Sequence, residues 1–213
     1  MDVLRKETMK KQIAVTGLML ALLSGATGCG WSPLRSSGDT QGYWLPLAVV
    51  LTVDRSVTDA TLSYNDACQQ LRTIAYGEQL TYALLRQIGL AFERVRIDPE
   101  QLKGKTDGTV SVTIGLQNVR LLIPRQADKS HDVTIELGAT VTFQDAAGAV
   151  IYTKGIKTEW KGSVDSSRQN CDVRGLAEIV NEAALVLAQG VKSQLGTSIK
   201  IREYASQRNA ARR

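Results

Sequence analysis

The segment VTIELGATVTFQDAAGAVIYTKGIKTEWK, residues 133–161, contains the clearest secondary-structure pattern of the chain. From residue 133 to residue 143, apolar and polar side chains alternate, which is the period of a strand with one buried face. Residues 145–148 predict a turn, because Gly148 can take a positive φ at little cost. Residues 150–161 predict the return strand, so this segment is a β-hairpin whose apolar face needs a cover.

Two amphipathic helices are predicted to cover that face. The first spans residues 67–88, with apolar side chains at steps of four on one side, and Gly77 is expected to divide it. The second follows Asp172, which is expected to be its N-cap. Its apolar residues recur at steps of three and four over residues 176–195.

Three further strands are predicted at residues 47–53, 92–97 and 109–123, while residues 58–66 predict a polar turn. The elements then follow the order strand, helix, strand, long strand, hairpin, helix. We therefore predict an α+β fold, with a mixed four- to five-stranded sheet and two helices packed on one face. Residues 45–196 would form this single domain.

The beginning of the chain has the layout of an export signal. A basic start at residues 9–12 precedes an apolar stretch at 13–26, small residues follow, and the pattern ends at Cys29. The apolar stretch is shorter than the roughly 20 residues that a membrane-spanning helix needs. We predict a signal peptide at residues 1–28. Its true start is expected at Met9, because the acidic residues before it are unusual in such a leader. The alternatives are a retained membrane helix and an ordinary cleaved signal.

The stretch ATGC that ends at Cys29 resembles the lipobox of bacterial lipoproteins, with Ala26 where leucine is usual. This resemblance implies cleavage between Gly28 and Cys29 and acylation of the cysteine. Gly30, and not aspartate, follows it, which in enterobacterial-type sorting resembles the outer-membrane default. We therefore expect a lipid anchor at the periplasmic face of the outer membrane. Residues 29–44 predict a tether.

Two cysteines remain, Cys68 and Cys171. Disulfides persist outside the cytoplasm, and an even pair there favours a bond, with two buried thiols as the alternative. Each cysteine is near the start of a predicted helix. Two parallel helices on one face would bring both cysteines to one edge of the sheet. A bond between the two cysteines requires that their Cα atoms lie within about 7 Å of each other.

Positive charge is concentrated at the C-terminus. The formal net charge of the chain is +5, and residues 1–28 carry four basic and two acidic side chains, which leaves +3 after cleavage. Residues 200–213 carry five basic side chains and one acidic one, so residues 29–199 amount to −1. A nearly neutral domain argues against a nucleic-acid partner.

Residues 197–213 are predicted to be a flexible basic tail. Arginine and lysine suit an anionic partner such as lipopolysaccharide, whose phosphates pair well with arginine, and simple solvation is the alternative. The basic residues of this tail are Lys200, Arg202, Arg208, Arg212 and Arg213.

No motif in the sequence indicates catalysis, a cofactor or a metal. The single histidine, His131, stands between Ser130 and Asp132. Adjacent side chains of an extended segment point in different directions, whereas a catalytic triad needs converging ones. No cysteine or histidine spacing fits zinc, and no glycine-rich loop fits a phosphate. A carboxylate pair assembled in three dimensions remains the route to an enzyme.

The chain also resembles the lipopolysaccharide-assembly lipoproteins. Residues 29–35 are similar to the Cys-Gly-aromatic-x-Leu-Arg opening of that family, with one extra residue. The helix that ends with residues 84–89, the hairpin at 141–152 and the alanine-rich last helix fit its pattern. The resemblance implies a protein that plugs and helps assemble an outer-membrane barrel. The strand-helix-strand start also resembles the amino-terminal domain of the Tol-system propeller protein and curli-type secretion lipoproteins.

Three functional hypotheses follow. The first is a non-enzymatic binding and assembly lipoprotein with an outer-membrane protein as partner. The second is a secretion or transport accessory lipoprotein that oligomerises around a channel. Its subunits would pair through an exposed edge strand, either residues 92–97 or the outer strand of the hairpin. The third is an envelope enzyme.

Overall fold

The structure is a computed structural model that describes residues 44–97, 106–123 and 130–211. The predicted signal peptide and nearly all of the predicted tether lie outside these ranges. So do four of the residues singled out in the sequence: Gly28, Cys29, Arg212 and Arg213.

Eight strands form two sheets in this part of the chain. They are β1 (Leu45–Val53), β2 (Thr61–Asn65), β3 (Leu71–Ala75), β4 (Phe92–Arg96), β5 (Gly108–Leu121), β6 (Ser130–Asp145), β7 (Val150–Ser167) and β8 (Asp172–Arg174). The central sheet has six strands in the order β4-β1-β5-β6-β7-β8, and β2 and β3 form a separate pair. Strand β1 is parallel to both of its neighbours, and the other pairs are antiparallel.

Four helices complete the described structure. They are α1 (Arg55–Thr58), α2 (Gly77–Gly89), α3 (Leu176–Thr197) and α4 (Ile199–Ala210). Helices α2 and α3 contact each other, while α3 packs on β6 and β7 and α2 packs on β4. The α+β class and the mixed sheet agree with the prediction. The sheet has six strands where four or five were expected, and the small sheet and two of the four helices were not foreseen.

The hairpin of β6 and β7 places its apolar residues beneath α3. Val133, Ile135 and Leu137 are fully buried, whereas the residues between them lie on the partly exposed face. Burying each large aliphatic side chain contributes about 1.5–3 kcal/mol to stability. Helix α3 lies close to β7, because a Cβ at Gly162 would be only 2.6 Å from Cδ1 of Ile179.

Residues 58–75 differ from the prediction. The expected polar turn contains strand β2, and the first part of the expected helix contains strand β3, paired with it. The cause is Asp66, whose carboxylate accepts the N–H groups of Cys68 and Gln70 and the Nε–H of Arg72. Those bonds stabilise a turn between two strands.

Gly77 begins α2 instead of dividing a longer helix. A Cβ at this position would lie 2.1 Å from the backbone oxygen of Thr58, so only glycine allows the start of α2 to reach α1. Asp172 also differs from its predicted role, since it belongs to β8 and the N-cap of α3 is Gly175. Gly175 has a φ of 84°, a conformation that favours glycine.

The segment predicted as a flexible tail is helix α4 over residues 199–210. Ile201 and Ala205 are buried, and the ring of Tyr204 meets Phe143 edge-on at a centroid distance of 5.7 Å. The helix has few apolar residues, and three of them, Ile201, Tyr204 and Ala205, pack on the central core. The prediction of mobility is therefore wrong for this part of the chain, and the folded domain extends beyond residue 196.

Candidate functional site: a groove beside strand β4

A disulfide bond joins Cys68 and Cys171, whose Cα atoms are 5.1 Å apart. Cys68 lies in the turn between β2 and β3, and Cys171 lies in the loop between β7 and β8. Neither cysteine is at the start of a helix, so the pair forms by a different route from the one expected. Beside it, the N–H of Gln70 and the guanidinium of Arg72 hold the pKa of Asp66 below its usual range.

The histidine region does not bring Ser130, His131 and Asp132 together. The ring Nε2 of His131 lies 2.9 Å from Oγ of Ser166, and Ser130 shares a hydrogen bond with Ser163 on the neighbouring strand. These are cross-strand contacts within the β6–β7 hairpin. Within the described ranges, no group of histidine, cysteine and acidic side chains is arranged to hold a metal.

The basic residues of α4 contact the domain. Arg208 forms an ion pair with Asp107, with 3.4 Å between Nη2 and Oδ1, and Nε of Arg202 donates to the carbonyl oxygen of Gly196 at 2.9 Å. Lys200 is exposed. Of the three basic tail residues that the structure describes, two therefore have partners within the fold.

Asp107 connects α4 with the sheet. Its carboxylate is fully buried and accepts the backbone N–H of Ala48 at 2.8 Å. Its carbonyl oxygen accepts the hydroxyl of Tyr204 at 2.6 Å. Because a buried carboxylate is stable only when it is hydrogen-bonded or paired, this residue requires Arg208 and β1 in their observed places.

A groove of about 780 Å³ lies between the C-terminal end of α2 and the edge strand β4. We call it the β4 groove. Its apolar lining consists of Leu85, Leu90, Val95 and Ile97, together with the backbone at Gly89. Leu90 is 52% exposed and Ile97 is 47% exposed, so apolar surface faces solvent at the rim.

The charged lining of the β4 groove is mainly positive. Arg86, Arg94 and Arg96 line it, and Glu93 is the single acidic residue among them. None of these three arginines takes part in the ion pairs that the described residues form. The groove thus presents three guanidinium groups, each with five donors, beside exposed apolar side chains.

The local sequence brings α2 and β4 together by a very short connection. The N–H groups of Leu90 and Ala91 bond back to the last turn of α2, and the carbonyl of Ala91 accepts the N–H of Leu45 in β1. The chain therefore re-enters the sheet directly beside the helix. Phe92 anchors the start of β4, since it is buried and stacks on Phe143 at a centroid distance of 6.2 Å.

Strand β4 leaves one of its two edges open. It pairs with β1 in parallel, with Ala48 opposite Arg94 and Val50 opposite Arg96. On its other side, no strand of the described chain is hydrogen-bonded to it. The sequence predicted this strand, and residues 92–97 were one of two alternatives for an exposed edge strand. The arginine cluster was missed, because Arg86 belongs to α2 and its proximity to β4 depends on the turn between them.

A second, shallower depression of about 620 Å³ lies where the start of β7 meets the junction of α3 and α4. Val150 and Ile199 contribute exposed apolar surface, and Lys200 is its one charged lining residue. The described helices include none that is long and apolar enough to cross a membrane.

Comparison with known proteins gives structural similarities at low identity. No protein-family model matches the chain, and no curated protein matches it. A Xanthomonas campestris protein of the DUF330 family is 8% identical with a TM-score of 0.47, over 80% of this chain and 91% of that one. A minor lipoprotein of Acinetobacter baumannii is 13% identical with a TM-score of 0.39, over 70% and 91%. The uncharacterized lipoprotein B of Nitrosomonas europaea is 11% identical with a TM-score of 0.45, over 74% and 88%.

Proposed function

We propose that this protein is a bacterial envelope lipoprotein, anchored by an acylated Cys29, that acts by binding another protein and not by catalysis. The observation that carries the proposal is the order of basic start, apolar stretch, small residues and cysteine in residues 9–29. The finer assignment, a lipopolysaccharide-assembly role with an outer-membrane barrel as partner, is favoured by the resemblance of residues 29–35 to that family.

The described domain supports a binding role by what it exposes. The β4 groove combines apolar side chains with arginines that form no ion pair with other described residues and with a strand edge that no described strand covers, and such combinations are used to recognise peptides and proteins. By contrast, the hypothesis that residues 197–213 bind lipopolysaccharide directly is weakened, because Arg202 and Arg208 already have partners within the fold.

Metabolic labelling with a fatty-acid analogue tests the anchor. The wild-type protein should incorporate the label and fractionate with the outer membrane. Cys29→Ser should abolish the label and leave an uncleaved or soluble form. Unchanged labelling of this variant would refute the proposal, since no other cysteine directly follows the predicted export signal.

A secretion or transport accessory that oligomerises around a channel is the second candidate. The observation in its favour is that the described strands leave two edges of the central sheet unpaired, at β4 and along most of β7. Purification after mild detergent extraction distinguishes the two functions. A co-purified barrel protein supports assembly, whereas a symmetric ring of this chain alone supports secretion.

A further inference from the structure

We propose that the β4 groove binds an extended segment of the partner in which acidic and apolar residues alternate, and that this segment adds to the sheet as a strand beside β4. The inference rests on the proposed binding function and names the chemistry of the partner. Backbone, charge and side-chain alternation each point to it.

The outer edge of β4 carries backbone groups that can bond to an added strand. In a strand, alternate residues direct their N–H and C=O groups to opposite sides, so pairing with β1 uses only half of those in Phe92–Arg96. The other half faces away from the sheet, where the described chain places no strand. Proteins normally protect such an edge with a bulge, a proline or a covering element, and an uncovered edge is where an extended peptide can add.

Three arginines, Arg86, Arg94 and Arg96, make the lining of the β4 groove mainly positive. They carry three positive charges against the single negative charge of Glu93, and they form no ion pairs with the rest of the described structure. Arginine binds carboxylates through two parallel hydrogen bonds, which gives direction as well as affinity. An acidic segment would supply the carboxylates that these guanidinium groups lack.

The alternation of side chains along β4 determines the order of residues expected in the ligand. Arg94 and Arg96 share one face of β4, and Val95 lies on the other, because side chains alternate along a strand. A neighbouring strand with acidic residues on one face and apolar residues on the other would match both. Its apolar residues would cover the exposed rim at Leu90 and Ile97.

The same charges argue against a second copy of this chain as the occupant. Antiparallel pairing of two β4 strands about a two-fold axis would place arginines opposite arginines, which is destabilising. The other open edge is residues 150–164 of β7, because β8 pairs only with residues 165–167. That edge carries Lys154, Lys157 and Lys161 against Glu159, so pairing it with β4 would also bring like charges together.

Peptide binding by the full chain in neutral phosphatidylcholine nanodiscs tests the proposal. The probe is a fluorescent ten-residue peptide in which glutamate and valine alternate, followed by anisotropy at low and moderate salt. We expect saturable binding that weakens as salt rises, since exposed charges are screened within about 8–10 Å. A peptide of alternating lysine and valine should bind at least about tenfold more weakly, because its lysines would be repelled by the three groove arginines.

Two N-methylated forms of the probe isolate the backbone contribution. One is methylated on its glutamates and the other on its valines, so each removes the N–H groups along one edge of the peptide strand. If the peptide pairs with β4, at least one form should lose about tenfold or more in affinity. Unchanged binding of both forms would overturn strand addition.

Charge reversal on the two edges of the sheet locates the site. Arg94→Glu with Arg96→Glu should weaken probe binding by about tenfold or more. The matched control, Lys154→Glu with Lys157→Glu, makes the same change in net charge on β7 and should leave binding unchanged. All four residues are exposed, so both proteins should fold, as melting curves will show. An equal loss in both variants would indicate unspecific attraction and overturn the site.

Gly89→Trp blocks the groove without altering its charge. A Cβ at Gly89 meets no atom within 4 Å, so a side chain can begin there without a clash at its Cβ. Probe binding should fall by about tenfold or more, and unchanged binding would contradict the proposal. If the probe fails while Cys29 is still acylated and a barrel co-purifies, only the ligand assigned to the groove is refuted. Loss of acylation in the wild-type protein would instead refute the proposed function.

Discussion

Helix α4 and the β4 groove both carry clusters of positive charge, but the structure uses them differently. In α4, Arg208 pairs with the buried Asp107 and Arg202 donates to a backbone carbonyl. In the β4 groove, Arg86, Arg94 and Arg96 have no such partners among the described residues. The density of charge along the sequence therefore does not identify the proposed binding surface. What distinguishes that surface is that its arginines form no ion pair with other described residues.

The largest expected effect tests whether α4 is part of the core. Ile201→Ala should lower the free energy of unfolding by about 2–5 kcal/mol, since a fully buried side chain is replaced by a cavity. Ile199→Ala is the matched control on the same helix. Ile199 is 72% exposed, so its loss should change stability by less than about 0.5 kcal/mol. Denaturant unfolding measures both, and equal small effects would mean that α4 is the mobile tail that the sequence suggested.

The second prediction tests the role of Asp107. Asp107→Asn should cost about 1.5–3 kcal/mol, because the neutral amide has one acceptor oxygen and can serve only one of the two donors, the Ala48 N–H and Arg208, without charge assistance. Asp132→Asn, at an exposed position, removes the same charge and should be nearly neutral. Thermal melting of the two variants side by side checks this. If the Asp107 variant has the same melting temperature as the wild type, α4 does not depend on that carboxylate.

The third prediction compares one arginine from each region. Arg208→Ala should destabilise the domain by about 1 kcal/mol, a modest value because the side chain is 41% exposed and the pair is partly screened. Arg94→Ala should leave stability within about 0.5 kcal/mol, as it removes no ion pair. The measurement is again the free energy of unfolding. A destabilised Arg94 variant would show that this arginine serves the fold and is not reserved for a ligand.

The smallest expected effect concerns Lys200. Lys200→Glu should change the free energy of unfolding by less than about 0.5 kcal/mol, because Lys200 is exposed. It should also leave binding of the glutamate–valine peptide unchanged, because Lys200 lies outside the β4 groove. Anisotropy and melting curves on one preparation suffice. Reduced peptide binding would move the site towards α4 and remove the contrast between the two regions.

Long periodic patterns were predicted well from the sequence. The alternation of residues 133–143 gave the hairpin, which the structure extends to Ser130–Asp145 and Val150–Ser167. The apolar repeat of residues 176–195 predicted α3, which spans Leu176–Thr197. Both patterns follow from one buried face, and a buried face leaves its period in the sequence.

Short elements with few buried residues were missed. Helix α4 buries only Ile201 and Ala205, so its sequence has no apolar period. Its position depends on Asp107, which is almost a hundred residues away along the chain. Strand β3 was assigned to a helix because the turn that separates it from β2 depends on the side chain of Asp66. Such contacts are tertiary or specific to one side chain, and periodicity does not report them.

The candidate site was predicted in part. The sequence identified β4 as an exposed strand, but it placed the important charges at the C-terminus. The two sets of groove arginines come from different elements and converge because α2 turns into β4 at Leu90 and Ala91. A pattern search along the chain has no access to that convergence.

The disulfide bond determines how the domain would respond to mechanical tension. Cys68 and Cys171 are 103 residues apart, so their bond closes a covalent ring that contains β3, α2 and β4 to β7. When the two ends of the chain are pulled, the force passes through the disulfide bond and does not extend the ring. About 350 Å of chain, at about 3.4 Å per residue, therefore cannot be drawn out. Tension would reach β1, α1, β2, β8, α3 and α4, with α4 the first helix loaded from the C-terminal side. The β4 groove lies wholly on the ring, so the segment that forms it would keep its length even while the ends of the domain were drawn apart.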